Sequence, residues 1–311
     1  MVKQEFTIVS STDGLPLSVL YMEPESVQCK GIVQLVHGMS EYKERYVPFM
    51  EFLADNGYAC IIHDLRGHGK SVKSIDDYGY MYEVGTDGML EDVLQVNAFI
   101  KERLPKVPMI MFAHSMGTLI ARSLLKKRDD MIDVLVLSGA PCGNSAVKVA
   151  KKLAAIQKKF LGARHVAKML GVLSFAAYAS KFAEDGSANA WISSDKEVVI
   201  AYDADPACGF TFTLDGFSVL YDLLDRAFQK EGWVCSKPKL PILFLAGEND
   251  PCIGNKNKFI EEVDFMKSVG YQNVKHVLYE DMRHEILNEP QKQWVYDDVL
   301  SYLDRIVGGK A

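Results

Sequence analysis

Met109-Ile110-Met111-Phe112-Ala113-His114-Ser115-Met116-Gly117-Thr118-Leu119-Ile120-Ala121 is the stretch on which the fold turns. Residues 109–112 are a short apolar run of the kind that makes a strand buried on both faces. Residues 116–127 carry a helical pattern. Between them, Ala113-His114-Ser115-Met116-Gly117 reads as a tight strand-to-helix turn that holds the serine hydroxyl out of the sheet, at the C-terminal edge of the strands. Strand and helix backbones pass close at such a turn, so small residues are needed two places either side of the serine. Ala113 and Gly117 supply them, Ala113 being one methyl larger than the strict glycine. Main-chain N–H groups at the helix start also favour an anion. The pentapeptide alone would equally suit a serine that merely begins a helix, so its meaning depends on what surrounds it.

Outward from this turn, compact runs alternate with helical patterns. The runs lie at 32–36, 58–62, 109–112, 134–137, 242–245 and 274–278, and the helical patterns at 46–55, 88–103, 116–127, 256–269 and 294–306. Such alternation predicts an α/β protein with a mostly parallel central sheet and helices on both faces. Runs at 6–9 and 17–21, joined through Asp13-Gly14, predict an antiparallel hairpin at one edge. The alternation stops after Pro141 and resumes near Pro238. Residues 142–211 are therefore read as a helical lid inserted into a core made of 1–141 and 212–311, with helical patterns at 147–160 and 166–182.

The 311 residues include 35 Lys+Arg and 41 Asp+Glu, a net charge of −6 that argues against a nucleic-acid binder. No apolar stretch approaches the roughly 18 residues of a membrane span. The opening Met-Val-Lys-Gln-Glu-Phe is too polar for the apolar middle of a signal peptide, and no two of the six cysteines form a Cys-x-x-Cys. A cytoplasmic protein with reduced thiols is expected.

Two further segments arrive in the order that a Ser…Asp…His triad on such a sheet requires. Gly247-Glu248-Asn249-Asp250-Pro251 follows the run at 242–245, and Asp281-Met282-Arg283-His284-Glu285 follows the run at 274–278. An acid past one strand and a histidine past the next would meet Ser115 at one sheet edge. There the histidine takes the serine proton and the carboxylate fixes the ring. Glu248 competes with Asp250, which has the better turn setting before Pro251. His276 competes with His284, but it reads as strand interior. His114 is expected to support the turn. Acyl transfer also needs oxyanion donors: the Met116 N–H, and the Met39 N–H in His37-Gly38-Met39-Ser40-Glu41 after the run at 32–36.

With these residues assembled, the chain resembles α/β-hydrolase-fold serine hydrolases of the monoacylglycerol lipase and lysophospholipase group. The resemblance rests on His37-Gly38-Met39-Ser40-Glu41-Tyr42 with Arg45-Tyr46, Asp64-Leu65-Arg66-Gly67-His68-Gly69-Lys70-Ser71, the serine turn, Gly247-Glu248-Asn249-Asp250, and Arg283-His284-Glu285-Ile286-Leu287-Asn288-Glu289. It implies Ser115 as nucleophile, Asp250 as acid, His284 as base and Met39 and Met116 as oxyanion donors, on a lipid-like ester and without cofactor or metal. Ala113, Thr118 and Tyr42 depart from the group's usual Gly, Gly and His. Asp205-Pro206-Ala207-Cys208-Gly209-Phe210 also resembles bacterial members.

Other signals carry less. Gly69-Lys70-Ser71 lacks the glycine that a phosphate loop needs five places earlier, where Asp64 stands. His63, Asp64 and His68 match no zinc spacing and are read as loop structure. Between Cys142 and Ala183 there are eight Lys or Arg and no Asp or Glu. Val149, Leu153, Ile156, Phe160, Met169, Leu170, Leu173 and Phe182 give this segment an apolar side. That stripe is expected to pack on the core with the lysines in water. The sharper reading is that part of it lines an acyl-chain pocket while the basic face makes transient contact with an anionic membrane surface. A second enzyme class on the same fold, an amidase or aminopeptidase, would need an acidic lid feature to hold the substrate amine, and only Glu184, Asp185 and Asp195 are available, late in the insertion.

Overall fold

Side chains on a strand point alternately to opposite faces, so a strand covered by helices on both sides must be apolar throughout. In β3 (Gly31–Val36), Ile32 and Val36 pack on one face while Val33 and Leu35 pack on the other, all of them buried. The computed structural model describes residues 1–25, 28–143 and 146–309, so Asn144 and Ser145 of the predicted insertion lie outside the described residues. The edge hairpin is β1 (Val2–Val9) and β2 (Pro16–Glu23). After β3 come α1 (Val47–Asp55), β4 (Tyr58–His63), α2 (Gly85–Arg103), β5 (Met109–His114), α3 (Met116–Arg128) and β6 (Val134–Ser138). Four helices follow: α4 (Val147–Leu161), α5 (Lys168–Lys181), α6 (Lys196–Ala204) and α7 (Leu214–Phe228). The chain then returns to the sheet with β7 (Ile242–Gly247), α8 (Lys256–Ser268), β8 (Val274–Tyr279) and α9 (Lys292–Gly308).

The strands form one sheet in the order β1-β2-β4-β3-β5-β6-β7-β8, parallel from β4 onward and antiparallel at the hairpin. Helices α1 and α9 cover one face through Phe49, Leu53, Val295 and Val299. Helices α2, α3 and α8 cover the other through Val93, Val96, Leu119, Leu124, Phe259 and Val263. Burying each such side chain stabilises the fold by about 1.5–3 kcal/mol. This is the α/β-hydrolase architecture. The strand order reverses between β3 and β5, which pair with Val36 beside Ala113. Loops leaving such a reversal open a crevice at the C-terminal edge of the sheet.

The structure differs from the sequence-based expectation in three places. β8 is not buried on both faces: it is the edge strand, with Lys275 and His276 exposed. Helix α7 is an element the sequence pattern did not single out, although Thr213 caps it by accepting from Gly216 N–H and its buried Leu214, Phe217, Leu220 and Tyr221 recur at helical spacing. The apolar stripe of α4 and α5 packs on the core only through Leu170 and, in part, Leu153. Of its eight residues only Leu170 is buried, whereas Val149, Ile156, Phe160, Met169 and Leu173 are exposed. These two helices lie on the molecule's outside and bury only Val147, Ala154 and Leu170.

Candidate active site

Ser115 sits between β5 and α3 with φ 50° and ψ −119°, a conformation that non-glycine residues avoid. Holding it costs about 1–3 kcal/mol, offset by the surroundings. The Ser115 N–H donates to Ser138 O (2.9 Å), and Ser115 O accepts from Thr118 N–H (2.9 Å) and Thr118 Oγ1–H (2.7 Å). Thr118, where the family commonly has glycine, thus braces the turn. A Cβ on Gly117 would lie 2.2 Å from Val36 O, so the β3 backbone itself demands glycine there. Ala113 is fully buried and its methyl packs in the core.

The loop after β3 runs alongside this turn. Gly38 has no unusual φ; glycine is needed because a Cβ would stand 2.6 Å from Glu41 Oε1 and 3.0 Å from Ser115 Cβ. Glu41 Oε1 accepts from Gly38 N–H (2.5 Å) and Tyr46 O–H (2.9 Å). His37 Nε2 accepts from Leu65 N–H (2.8 Å), which leaves Nδ1–H to donate to Gly38 O (2.8 Å). Burial, then His68, push His37 well below the ordinary histidine pKa, so the ring is neutral in this role. Among the described residues, neither the Met39 nor the Met116 main-chain N–H has a hydrogen-bond partner. Both residues line the same cavity as Ser115.

Past β7, Asp250 is 1 % exposed and Glu248 is exposed, which separates the two candidate acids. Asp250 Oδ1 accepts from Cys252 N–H (2.7 Å), while Oδ2 accepts from His284 Nδ1–H at 2.9 Å. His284, past β8, is 3 % exposed. Gly247 makes this meeting possible, because a Cβ there would strike Met282 O and Arg283 O at 2.2 and 2.3 Å. Burial disfavours the charged ring of His284, but the Asp250 carboxylate outweighs it and holds the pKa well above the ordinary value. His114 is held well below, by burial first and then by His284, whose ring centroid is 4.7 Å away. Ser115, Met39, Met116 and His284 therefore border one cavity of about 860 Å³, with Asp250 behind the imidazole. The Ser115 hydroxyl is not hydrogen-bonded to Nε2 in this resting geometry, where Cys252 Sγ lies 3.9 Å from Nε2. Such catalytic links are often loose without substrate and tighten in the complex. The set offers a hydroxyl, an imidazole oriented by a carboxylate and two unpartnered N–H groups on residues of the same cavity wall, the kinds of group that acyl transfer uses.

The inserted residues hold the site in ways the sequence did not reveal. Ser40, at φ 55°, accepts at its carbonyl from Tyr202 O–H and Gly209 N–H (both 2.9 Å) and donates Oγ–H to Phe210 O (2.7 Å). Arg45 forms a bidentate pair with Glu285 (2.6 and 2.6 Å), tying the oxyanion loop to the histidine loop. Burial raises Glu41 to about 7, against the pull of Arg45 and with Glu285 adding to the rise. Tyr42, in the family's histidine position, donates to Asp205 Oδ2 (2.6 Å). Asp64 accepts from Lys43 and Lys70 backbone N–H groups and from Lys43 Nζ, so the Gly69-Lys70-Ser71 loop is structural. His63, Asp64 and His68 do not converge as ligands. Val149, Leu153, Leu170, Val172, Leu173 and Phe175 of α4 and α5 border the cavity, with Leu119, Phe217, Leu220 and Leu224 opposite.

Known proteins are similar to this chain in sequence and fold. Residues 27–291 match the family described as serine aminopeptidase, S33. The monoacylglycerol lipase of Mycolicibacterium smegmatis is 25% identical over 280 residues, covering 88% of each chain. Phospholipase YtpA of Bacillus subtilis is 24% identical over 279 residues, covering 89% of this chain and 96% of its own. A thermostable carboxyl esterase from Bacillus coagulans, solved in complex with glycerol, shares the fold with a TM-score of 0.90 at 23% identity over 99% of each chain.

Proposed function

The chain belongs to the serine aminopeptidase S33 family of α/β-hydrolases, and from that premise we propose that it is a carboxylic-ester hydrolase of lipid-like substrates, monoacylglycerols foremost, working through an acyl-enzyme on Ser115. Ser115 Oγ attacks the ester carbonyl while His284 Nε2 takes its proton. Asp250 holds the Nδ1–H tautomer and stabilises the imidazolium. Met39 and Met116 N–H groups receive the oxyanion. The imidazolium protonates the departing alcohol; water then attacks the acyl-serine with His284 again as base, releasing the fatty acid and restoring the hydroxyl.

One observation carries the substrate class: the cavity of about 860 Å³ that Ser115 borders is walled by apolar side chains of α4, α5 and α7, as an acyl chain would require. Its polar part, beside the oxyanion loop, is bordered by Ser40, Glu41, Asn189, Tyr202 and Glu285. The only Lys or Arg on the wall among the described residues is Lys168, exposed at the start of α5. A phosphate near Ser115 would find Glu41 and Glu285 on the wall, with the nearest cation, Arg45, already held by Glu285, which favours a neutral glycerol head group over a lysophospholipid. The same carboxylates argue against the aminopeptidase reading. Glu285 is paired with Arg45, Glu41 is engaged by Gly38 and Tyr46, and among the late acids Asp185 pairs with Arg283 and Asp195 caps α6. A substrate α-amine would find no uncommitted carboxylate on the wall.

In this reading residues 142–211 act as a cap on the core of 1–141 and 212–311. Phe160 is 77 % exposed, and Leu161, Met169, Val172 and Leu173 of the same two helices are exposed as well, as are Lys148, Lys152, Lys159 and Lys168. Those four lysines form no ion pair among the described residues, whereas Lys151, Lys158 and Arg164 pair with Asp222, Asp215 and Asp77. This supports transient contact with an anionic lipid surface. Binding to anionic vesicles that exceeds binding to neutral ones and declines with salt is the expected outcome; equal binding to both contradicts it. No helix among the described residues is long and apolar enough to cross a membrane, and the six cysteines are free thiols, in keeping with a reducing cytoplasm. The activity is tested by a panel of monoacylglycerols, lysophospholipids and aminoacyl anilides with Ser115→Ala as control. Turnover of monoacylglycerols, absent in the variant, is the expected result. Preferred cleavage of the anilides contradicts the reading.

A further inference from the structure

Cys252 takes no part in the acyl-transfer scheme, yet its thiol is placed against the catalytic base. Cys252 Sγ lies 3.9 Å from His284 Nε2, and both residues are on the cavity wall. Ligand atoms of Asp250, Cys252 and His284 all fall within 4.8 Å of one another, and no other group of three His, Cys, Asp or Glu does so among the described residues. We propose that Cys252 Sγ and His284 Nε2 form an inhibitory site for a borderline-soft divalent cation, Zn²⁺ foremost, that reaches them through the substrate cavity. The proposal concerns regulation of the site read above as catalytic and rests on that reading for its effect on turnover, though not for the binding itself.

Three features support it. Zinc bonds of about 2.3 Å to sulfur and about 2.0–2.1 Å to nitrogen, at a tetrahedral angle, separate the two ligand atoms by about 3.6 Å. The pair therefore needs to close by only a few tenths of an ångström. Asp250 accepts from Nδ1–H, which fixes the tautomer whose Nε2 lone pair faces outward. A carboxylate behind a metal-binding imidazole is the usual outer support of a zinc histidine. The donor set also selects the ion: thiolate and imidazole suit Zn²⁺ or copper, whereas Mg²⁺ and Ca²⁺ take six or more oxygens.

The chemistry balances without a redox partner. Binding forms a Zn–S and a Zn–N bond and breaks the Cys252 S–H bond, and also the Nε2–H bond where the His284 ring is protonated; each proton goes to solvent, and water from the cavity completes the coordination. The lone pair taken by the cation is the one that must accept the Ser115 proton, so the occupied enzyme is silent. A chelator that withdraws the ion restores it.

The test separates binding from catalysis. Full-length protein is titrated with Zn²⁺ against a chromophoric indicator, and with Co²⁺ as a spectroscopic substitute, in wild type, Cys252→Ser, Cys252→Ala and Cys142→Ala, Cys142 being the other thiol on the cavity wall. Hydrolysis of a soluble ester is then measured at the same metal concentrations, each variant normalised to its own metal-free rate, with Mg²⁺ as control. One Zn²⁺ per chain, a thiolate-to-cobalt band and EDTA-reversible inhibition are expected in wild type and in Cys142→Ala. In both Cys252 variants the band is lost and the inhibitory concentration rises about tenfold or more. Undiminished zinc binding and the same inhibitory concentration in folded Cys252→Ser overturn the proposal, as does wild type that binds no zinc. Absence of ester turnover with zinc binding intact would instead count against the catalytic reading.

Discussion

Replacing Asp250 by asparagine removes one charge and almost no volume, and the hydrogen-bond pattern dictates how the new side chain must sit. Oδ1 is engaged by Cys252 N–H at 2.7 Å, so the asparagine oxygen stays there. Its NH₂ group must then occupy the place of Oδ2, facing His284 Nδ1 across the 2.9 Å now spanned by the N–H···O bond. That arrangement makes Nδ1 the acceptor and puts the ring proton on Nε2, where a general base cannot use it. The electrostatic loss adds to this. Carboxylate and imidazolium at 2.9 Å attract by about 5–6 kcal/mol at an effective dielectric of about 20, and both groups are too buried for solvent to screen them further. The attraction acts only when the ring is charged, in the transition state, so it converts to about ten-thousand-fold in kcat. Asp250 does not border the cavity, and KM should change little. Steady-state hydrolysis of a soluble p-nitrophenyl ester, with a thermal melt to show that the variant is folded, reads both quantities. A fall in kcat of less than about tenfold in folded Asp250→Asn would refute the reasoning.

The same geometry sets three other outcomes. Gly117→Ala drives a methyl toward Val36 O, 2.2 Å away, and should cost about 1–3 kcal/mol or more in denaturant unfolding; an unchanged midpoint contradicts the close approach. Asp250 holds the His284 pKa above the ordinary 6.5 against the effect of burial, and only the neutral ring accepts a proton. kcat/KM should therefore rise with pH through a limb displaced to the alkaline side of 6.5 and shifted down in Asp250→Asn; a wild-type limb below 6.5 contradicts the pairing. Leu153→Trp fills the α4 wall of the cavity and should move the ester chain-length optimum to shorter acyl groups, by about 0.8 kcal/mol or about fourfold in kcat/KM for each methylene no longer buried. An unaltered chain-length profile removes α4 from the acyl wall.

Local signals were legible where a residue's neighbours in sequence decide its setting. The run–helix alternation gave the order of β3 to β7, because doubly covered strands must be apolar throughout. Pro251 after Asp250 marked the buried turn and separated it from exposed Glu248. Burial that depends on position in the sheet was not legible: β8 reads like its neighbours but is an edge strand. Nor was the fate of the α4 and α5 stripe, because helical periodicity shows that one side is apolar without saying what covers it. Helix α7 was obscured by its glycine and aromatic residues, though Thr213 and the spacing from Leu214 to Tyr221 announce it. The polar ties that brace the site join partners far apart in the chain: Ser40 with Tyr202, Arg45 with Glu285, Cys252 with His284. No periodicity or spacing rule reaches across such separations. They exist only once β3, β5, β7 and β8 bring their C-terminal ends to one edge.

Labelling with a fluorophosphonate, read by intact mass and peptide mapping, puts the nucleophile to the most direct test. The account predicts one adduct per chain, on the peptide that contains Ser115, abolished in Ser115→Ala and strongly slowed in His284→Ala. An adduct on another residue, or labelling undiminished in folded Ser115→Ala, would contradict it.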